Sequence, residues 1–220
     1  GTLGLEPDLL ADHIGWDPGA ADVARRLAAH VNSPLVLSGC SRRVIDCNRP
    51  LGQAVSIAER TAGVSIPGNL GLSALERSIR IDALFRPYHD AIARLLDRRS
   101  HRPTLFTSIH SFTPVLNGQL RPWHIGISHW RNPRLAALLL EALRRTGDCT
   151  IGDNEPYPIE NNVDYTIPRH GEGRGLPSVM IEIRQDQLRT SAGATAWAGR
   201  LAVAYRHIDA ELPRLLGVSF

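Results

Sequence analysis

Three apolar segments of the sequence end in side chains that could take part in hydrolysis. These side chains are His110, the segment Asp46-Cys47-Asn48-Arg49, and the segment Glu182-Ile183-Arg184. A neutral imidazole is the commonest metal ligand in proteins, a carboxylate can serve as a general base, and an arginine can bind a carboxylate through two hydrogen bonds. If the ends of the segments converge, they predict metal-assisted hydrolysis of an amide in a substrate that carries a carboxylate.

Each of these residues also has a purely structural interpretation. A lone histidine is often a core side chain that is hydrogen-bonded to a neighbouring carbonyl group. Arg49 could form a structural ion pair with Asp46, and Arg184 could form one with Glu182. The residue types alone leave both interpretations open.

Strand and helix patterns alternate along the chain and predict where the candidate residues lie. Strands are predicted at 35–37, 44–48, 103–110, 123–128, 149–152 and 178–184. Helices are predicted at 18–31, 73–96, 134–145 and 192–216. This alternation predicts the α/β class, as a three-layer αβα sandwich with a mostly parallel mixed sheet, in a single domain over residues 1–220. Ligands of such sheets bind beyond the carboxyl ends of the strands.

Capping residues mark two of the predicted helix starts. Asp17 stands before Pro18, which is the pattern of an N-cap residue followed by proline in the first turn. Ser73 and Glu76 have the spacing of a capping box. Pro87 lies inside the second helical pattern and predicts either a kink or two helices in series.

The composition is that of a globular protein. Hydrophobic residues make up 43% and charged residues 21% of the 220 residues, and no apolar run has the length of a membrane span. Because no signal peptide is visible, we expect a cytoplasmic protein without a membrane partner. The formal net charge is only +3, and the arginines are scattered among acidic residues, so we expect no nucleic-acid binding.

The basic residues and the cysteines exclude further chemistries. All 25 residues counted as Lys or Arg are arginine, so a Schiff-base lysine and a P-loop lysine are excluded. Cys40, Cys47 and Cys149 are odd in number and lack C-x-x-C spacing, which predicts neither a disulfide framework nor a thiolate zinc site. Cys40 could be the nucleophile of a cysteine hydrolase, but no histidine partner is marked, and a small buried cysteine is the more common case.

Six motifs follow one another along nearly the whole chain. They are S-R-R-V-I-D-C-N-R-P (Ser41 to Pro50), I-P-G-N (Ile66 to Asn69), S-I-H-S-F-T-P (Ser108 to Pro114), R-P-W-H-I-G (Arg121 to Gly126), G-D-N-E-P-Y (Gly152 to Tyr157) and I-E-I-R-Q-D (Ile181 to Asp186). In this order they resemble the N-formylglutamate amidohydrolase family, and three of them also resemble the wider zinc carboxypeptidase and aspartoacylase group. In that group a D-x-N-R segment binds the substrate carboxylate, an I-H-S segment supplies a zinc ligand, and an E-x-R strand supplies the glutamate that activates water.

The resemblance implies a zinc-dependent amidohydrolase that acts on N-formyl-L-glutamate or a related N-acyl acidic amino acid, which is a small-molecule substrate. His110 would be a zinc ligand, and Glu182 would be the general base that activates water. A catalytic zinc needs three protein ligands, and for the second one this sequence offers Asp17, with His13 as a weaker candidate.

The same resemblance implies how the substrate is held. Asn48 and Arg49 would bind its carboxylate, and Arg42 would polarise the scissile carbonyl or bind a second carboxylate. The other substrate-binding candidates are Ser111, Asn154, Glu155, Tyr157, Tyr165 and Arg184.

Members of the resembled family begin with a further strand and a histidine loop, upstream of the part that matches Gly1 here. We therefore expect a chain that lacks the family's N-terminal segment and its first zinc ligand, with weak hydrolase activity or none. The alternative function is a non-catalytic carboxylate-binding protein on the same fold, and tight zinc binding distinguishes the two.

Overall fold

The structure is a computed structural model that describes residues 2–6, 15–209, 211–212 and 215. It divides into two compact units. The first unit comprises Gly1–Trp16, Val36–Ser100 and Asn161–Thr166, and the second comprises Asp17–Leu35, His101–Glu160 and Ile167–Phe220. The helices are α1 (Ala20–His30), α2 (Ala74–Arg80), α3 (Arg86–Asp97), α4 (Arg134–Arg144) and α5 (Ser191–Asp209). The strands are β1 (Arg60–Thr61), β2 (Val64–Ser65), β3 (Phe106–Phe112), β4 (Val115–Leu116), β5 (Gln119–Leu120), β6 (Ile125–Ser128), β7 (Ile151–Asp153) and β8 (Ser178–Arg184).

The second unit is built on a four-stranded sheet in the order β3-β8-β6-β7. β3 pairs with β8 in parallel, β6 pairs with β7 in parallel, and β6 and β8 run antiparallel. The sheet is therefore mixed and mostly parallel, and helices flank it. This confirms the predicted α/β class.

Strand β8 shows how the sequence sets the two faces of this sheet. Successive side chains of a strand point to opposite faces. Val179, Ile181 and Ile183 are fully buried and share one cluster with apolar residues of α1, α4 and α5. Ser178, Met180 and Glu182 alternate with them and lie on the opposite face. A continuous apolar run with β-branched residues thus forms a strand that is buried on both faces.

The opposite face of the sheet is covered by a shorter segment of the same unit. Met180 packs with Ile159 and Ile167 in a second apolar cluster. Ile167 opens a π-helical turn, Ile167–Gly171, which contacts β3 and β8. This cover packs around Met180, two residues before Glu182 on the same face of β8.

The first unit is held together by α2, α3 and the segment that precedes them. Ile45, Cys47, Ile57 and Phe85 form its buried apolar cluster. α2 begins at the predicted capping box, in which Ser73 accepts from the backbone of Glu76 and Glu76 accepts from the backbone of Ser73.

The helical pattern predicted at 73–96 divides into two helices in series. A π-helical turn, Ile81–Phe85, joins α2 to α3, and Pro87 lies in the first turn of α3. The backbone stays helical through this turn, and the Arg86 amide donates to the carbonyl of Ile81, five residues earlier. The regular α-helical hydrogen-bond pattern is thus interrupted immediately before Pro87, which cannot donate a backbone hydrogen bond. The two helices follow each other without a gap, which corresponds to the predicted alternative of two helices in series.

Most predicted elements of the second unit occur within a few residues of their expected bounds. The strand at 178–184 coincides with β8, and the helix at 134–145 corresponds to α4. The strand at 103–110 is β3, which extends two residues beyond His110. The strands at 123–128 and 149–152 correspond to β6 and β7, both of which begin two residues later than predicted.

Two predicted strands and one predicted cap are wrong. Residues 35–37 and 44–48 form no strand in the described part of the chain, and 44–48 includes turns. Short apolar runs carry no information on pairing, and a strand requires a partner for its backbone groups. The N-cap of α1 is Gly19 in a left-handed conformation, with φ of 77°, and not Asp17. The Asp17 carboxylate instead contacts the imidazole of His110.

Candidate active site

The second unit brings His110 and Glu182 together through strand register. The two residues are direct partners in the parallel β3–β8 ladder, so their side chains leave the same face of neighbouring strands, about 4.8 Å apart. Glu182 is buried, at 6% exposed, and the His110 side chain is 23% exposed. The sheet thus sets an imidazole beside a buried carboxylate.

Both nitrogens of the His110 ring contact oxygen atoms. Nδ1 lies 2.7 Å from Oδ2 of Asp17, and Nε2 lies 2.9 Å from Oγ of Ser108. Because an ionised carboxylate only accepts hydrogen bonds, Nδ1 is the donor to Asp17. These contacts fix the plane of the imidazole on the sheet face that also carries Glu182.

The loop that carries Asp17 is anchored to the end of β3. The hydroxyl of Ser111 donates to the carbonyl of Pro18 at 2.8 Å, and Ser111 is buried. Gly19, as the left-handed N-cap, lets the chain turn into α1 immediately afterwards. The Asp17 side chain is therefore directed to His110 and does not cap the helix.

His110 and Asp17 are donors of the kinds that zinc accepts. A cation bound by both residues would take the place of the proton that Nδ1 donates to Oδ2. Among the described residues, no group of three His, Cys, Asp or Glu side chains could hold a metal ion. A catalytic zinc site uses three protein ligands, whereas the described part of the chain brings together only two candidates here, His110 and Asp17. His13, the weaker candidate, lies outside the described residues.

Two glycines extend the row of His110 and Glu182 across the sheet. Gly126 of β6 is the register partner of Glu182, and Gly152 of β7 is the partner of Gly126. A Cβ atom on Gly126 would collide with the carbonyl oxygen of Glu155, and one on Gly152 would lie 2.7 Å from the same oxygen. The missing side chains thus leave the space in which the Glu155 backbone lies on this face of the sheet.

Asn154 and Tyr157, on either side of this contact, have mostly structural partners. The side-chain oxygen of Asn154 accepts from the backbone N–H of His129 at 2.8 Å, and the backbone N–H of Asn154 donates to the carbonyl of Ile127 at 3.0 Å. Arg121 donates to the hydroxyl of Tyr157 at 2.7 Å. The Glu155 and Tyr157 side chains are exposed, so they remain accessible to a ligand.

Arg184 is engaged at the end of β8 by Asp186 and not by Glu182. Its Nε lies 2.8 Å from Oδ1 of Asp186, and its Nη1 donates to the carbonyl of Arg121 at 3.1 Å. Burial acts to raise the pKa of Asp186, but the hydrogen bonds and charge of Arg184 outweigh it and hold that pKa below its ordinary value. The Glu182–Arg184 ion pair, one of the structural alternatives, is thus wrong.

In the first unit, Asp46 organises the loop that carries Arg42 and Asn48. Its Oδ2 accepts from Arg42 Nη2 at 2.9 Å, and its Oδ1 accepts from the Asn48 amide at 2.9 Å. Asp46 is buried, whereas the Arg42 side chain is 34% exposed. The turn is therefore fixed by a carboxylate that uses both oxygens.

Asp164 is the partner of both predicted carboxylate-binding residues. Its Oδ1 lies 2.8 Å from Nη1 of Arg49 and 3.0 Å from Nδ2 of Asn48. Asn48 also accepts from the amide of Thr166 at 2.9 Å. The ion pair of Arg49 is therefore made with Asp164, and the Asp46–Arg49 alternative is wrong. The Arg49 side chain keeps 22% of its surface exposed.

Tyr165 follows Asp164 and packs edge-on against aromatic rings of the apolar cluster of the first unit. Its ring centroid lies 4.6 Å from that of His89 and 5.1 Å from that of Phe85. The Tyr165 amide donates to the carbonyl of Asn48 at 3.1 Å. This packing ties the 161–166 segment to the Asn48 loop.

Three residues that shape these sites have no role in the motif-based prediction, namely Ser108, Gly126 and Asp164. Ser108 stands two residues before His110, so strand periodicity places both on one face. Gly126 interrupts an apolar strand, which is a signal that another backbone approaches closely. The partnership of Asp164 with Asn48 spans more than a hundred residues and has no local signal.

The sequence of this chain matches a known enzyme family over most of its length. A family model described as N-formylglutamate amidohydrolase matches residues 2–189. This match places the chain among amidohydrolase enzymes. More narrowly, the chain belongs to the N-formylglutamate amidohydrolase family, as the motifs indicated. No curated protein matches the chain significantly.

Two solved structures are similar to this fold. The crystal structure of the gene product Atu2144 from Agrobacterium tumefaciens is 38% identical, with a TM-score of 0.90, and the match covers 96% of this chain and 84% of that one. The N-formylglutamate amidohydrolase from Ralstonia eutropha JMP134 is 18% identical, with a TM-score of 0.60, and the match covers 78% of this chain and 75% of that one. At that identity, the second similarity supports the fold alone.

None of the described helices is both long and apolar enough to cross a lipid bilayer.

The glycine row makes a prediction about packing. Gly126→Ala should lower the free energy of unfolding by roughly 1–3 kcal/mol, because its methyl group would overlap the Glu155 carbonyl. The measurement is urea denaturation followed by circular dichroism. Gly199→Ala is the matched control, because a Cβ at this α5 position meets open space, and it should be neutral or stabilising by up to about 1 kcal/mol. Equal stability of the two variants would contradict the packing of Glu155 over Gly126.

Proposed function

We propose that this chain hydrolyses the amide bond of N-formyl-L-glutamate or a related N-acyl acidic amino acid. The observation that supports this most strongly is the register pairing of His110 with Glu182, in a chain that belongs to the N-formylglutamate amidohydrolase family. The products would be the free amino acid and formate or another carboxylate.

Glu182 is proposed as the general base. Its carboxylate is buried on the face of the sheet that carries His110. A general base must lie within hydrogen-bond reach of the proton that it removes, and it contributes roughly 10²–10⁴-fold to the rate. Glu182 would take a proton from the attacking water and pass it to the leaving amine.

His110 and Asp17 are proposed as zinc ligands. Zinc, when bound, polarises a carbonyl group and makes water more acidic. The Ser108 contact and the Ser111–Pro18 hydrogen bond orient the two ligands. Outer-shell hydrogen bonds of this kind are a regular part of metal sites.

Asn48 and Arg49 are proposed to bind the substrate carboxylate. Asp164 holds the Arg49 guanidinium by one edge, and a planar guanidinium has five donors, so further donors remain for a bidentate carboxylate contact. Arg42 would stabilise the oxyanion of the tetrahedral intermediate or bind a second carboxylate. The further residues proposed to bind substrate are Ser111, Asn154, Glu155, Tyr157, Tyr165 and Arg184.

A non-catalytic carboxylate-binding protein is the second candidate. The described part of the chain brings together only two candidate ligands, His110 and Asp17. A catalytic zinc uses three protein ligands, and this difference favours the second candidate. Such a protein would bind N-formyl-L-glutamate without releasing formate.

The proposed base is tested by Glu182→Gln. Removal of the proton acceptor should reduce formate release from N-formyl-L-glutamate by about 100-fold or more, while zinc content stays unchanged. Because the resemblance predicts a low rate, the assay uses concentrated, zinc-supplemented chain and long incubation. Exposed Glu211→Gln is the control. Undiminished turnover in Glu182→Gln would exclude the base role, and no formate from the wild-type chain would favour the second candidate.

The carboxylate role is tested by Arg49→Ala with exposed Arg60→Ala as control. Loss of a charge-assisted contact should raise KM for N-formyl-L-glutamate by roughly 10- to 100-fold. The same variant should lose less with an analogue whose recognised carboxylate is an amide, so N-formyl-L-glutamine and N-formyl-L-isoglutamine are compared. An equal loss on all three substrates would mean that Arg49 only holds Asp164.

A further inference from the structure

Two cysteines of the first unit share one hydroxyl group. Oγ of Ser38 lies 3.8 Å from Sγ of Cys40 and 3.9 Å from Sγ of Cys47. The two cysteines also pack in the same apolar cluster, in which Cys47 is buried and Cys40 is half-buried. Although the sequence spacing suggested no pair, the fold places both sulfurs within 4 Å of the same hydroxyl oxygen.

Cys40 is reached from a cavity. The cavity has a volume of about 410 Å³ and is lined by Gly15, Trp16, Ser38, Gly39, Cys40 and Ser41. Cys47, at 8% exposed, is not part of this lining. A small reagent can therefore meet the Cys40 sulfur first, with the second sulfur behind it.

The two thiols differ in acidity. Interaction with Cys47, and to a smaller extent with Ser38, lowers the pKa of the Cys40 thiol below its ordinary value, against the opposing effects of burial and the Asp46 charge. Interaction with Cys40 and burial raise the pKa of Cys47. Cys40 is thus the more acidic and the more nucleophilic thiol of the two.

We propose that Cys40 and Cys47 form a peroxide-reactive thiol pair, in which Cys40 is the oxidised residue and Cys47 resolves it. The Cys40 thiolate attacks one oxygen of a hydroperoxide, the O–O bond breaks, and hydroxide or alkoxide leaves as Cys40 becomes a sulfenic acid. Cys47 then loses its proton and attacks the Cys40 sulfur, the S–O bond breaks, and water leaves. The two sulfurs together lose two electrons, which the peroxide gains.

The test is oxidation of the full chain with stoichiometric hydrogen peroxide at pH 7. Remaining thiols are blocked with N-ethylmaleimide, and the tryptic peptides are analysed by mass spectrometry. Arg42 and Arg43 separate the two cysteines into different peptides. The expected result is a Cys40–Cys47 cross-linked peptide pair that is lighter by two hydrogen atoms, with Cys149 blocked by maleimide.

Variants divide the two roles. Cys47→Ala should accumulate a dimedone-reactive sulfenic acid on Cys40, whereas Cys40→Ser should give neither adduct nor cross-link. Cys149→Ser is the matched control and should cross-link like the wild type. Oxidation of Cys40 without the cross-link in the wild type, or cross-linking that involves Cys149 equally, would overturn the proposal.

A rate measurement tests the activated thiol separately. The pH midpoint for alkylation of Cys40 by iodoacetamide should lie below the ordinary cysteine value of about 8.5, because the pKa of its thiol is lowered. In Cys47→Ala this midpoint should move up toward that value. An unchanged midpoint in the variant would contradict the effect of Cys47 on the Cys40 thiol.

Discussion

The register of β3 against β8 is the constraint on which the candidate site depends. Side chains of a strand alternate between faces, so a slip of one residue would move every member of the pair to the other face. Val179, Ile181 and Ile183 oppose such a slip, because it would remove them from the apolar cluster with α1, α4 and α5 and put Ser178 and Glu182 in their place. The apolar face thereby holds His110 and Glu182 as direct neighbours.

The rest of this face is arranged around that row. Gly126 and Gly152 continue the row without side chains, and the Glu155 carbonyl occupies the space that they leave. Asp17 and Ser108 complete the surroundings of the imidazole. The Glu155 backbone can approach this face because two register positions lack a side chain. In the first unit, Asp46 accepts from the backbone of Asn48, and Asp164 pairs with Arg49, so these two carboxylates hold the loop that carries Arg49.

The sequence predicted the elements that carry a strong local pattern. The long apolar run of β8 and the helical spacing of α4 were placed closely, and motif order identified the family. The predicted strand at 44–48 is wrong because a short apolar run resembles a strand, whereas the buried Asp46 carboxylate stabilises turns there. The proline that follows Asp17 predicts Asp17 as the N-cap of α1, but the N-cap is Gly19. Its contact with His110, 93 positions away, depends on tertiary structure that no local pattern contains.

Zinc binding by the purified chain, measured by elemental analysis with a His110→Ala control, tests the proposed centre most directly. The account predicts near-stoichiometric zinc in the wild-type chain and its loss in the variant, because it proposes the imidazole beside Glu182 as a ligand. Zinc that is retained equally in both proteins, or a wild-type chain that takes up none from a zinc-containing buffer, would contradict a zinc site at His110.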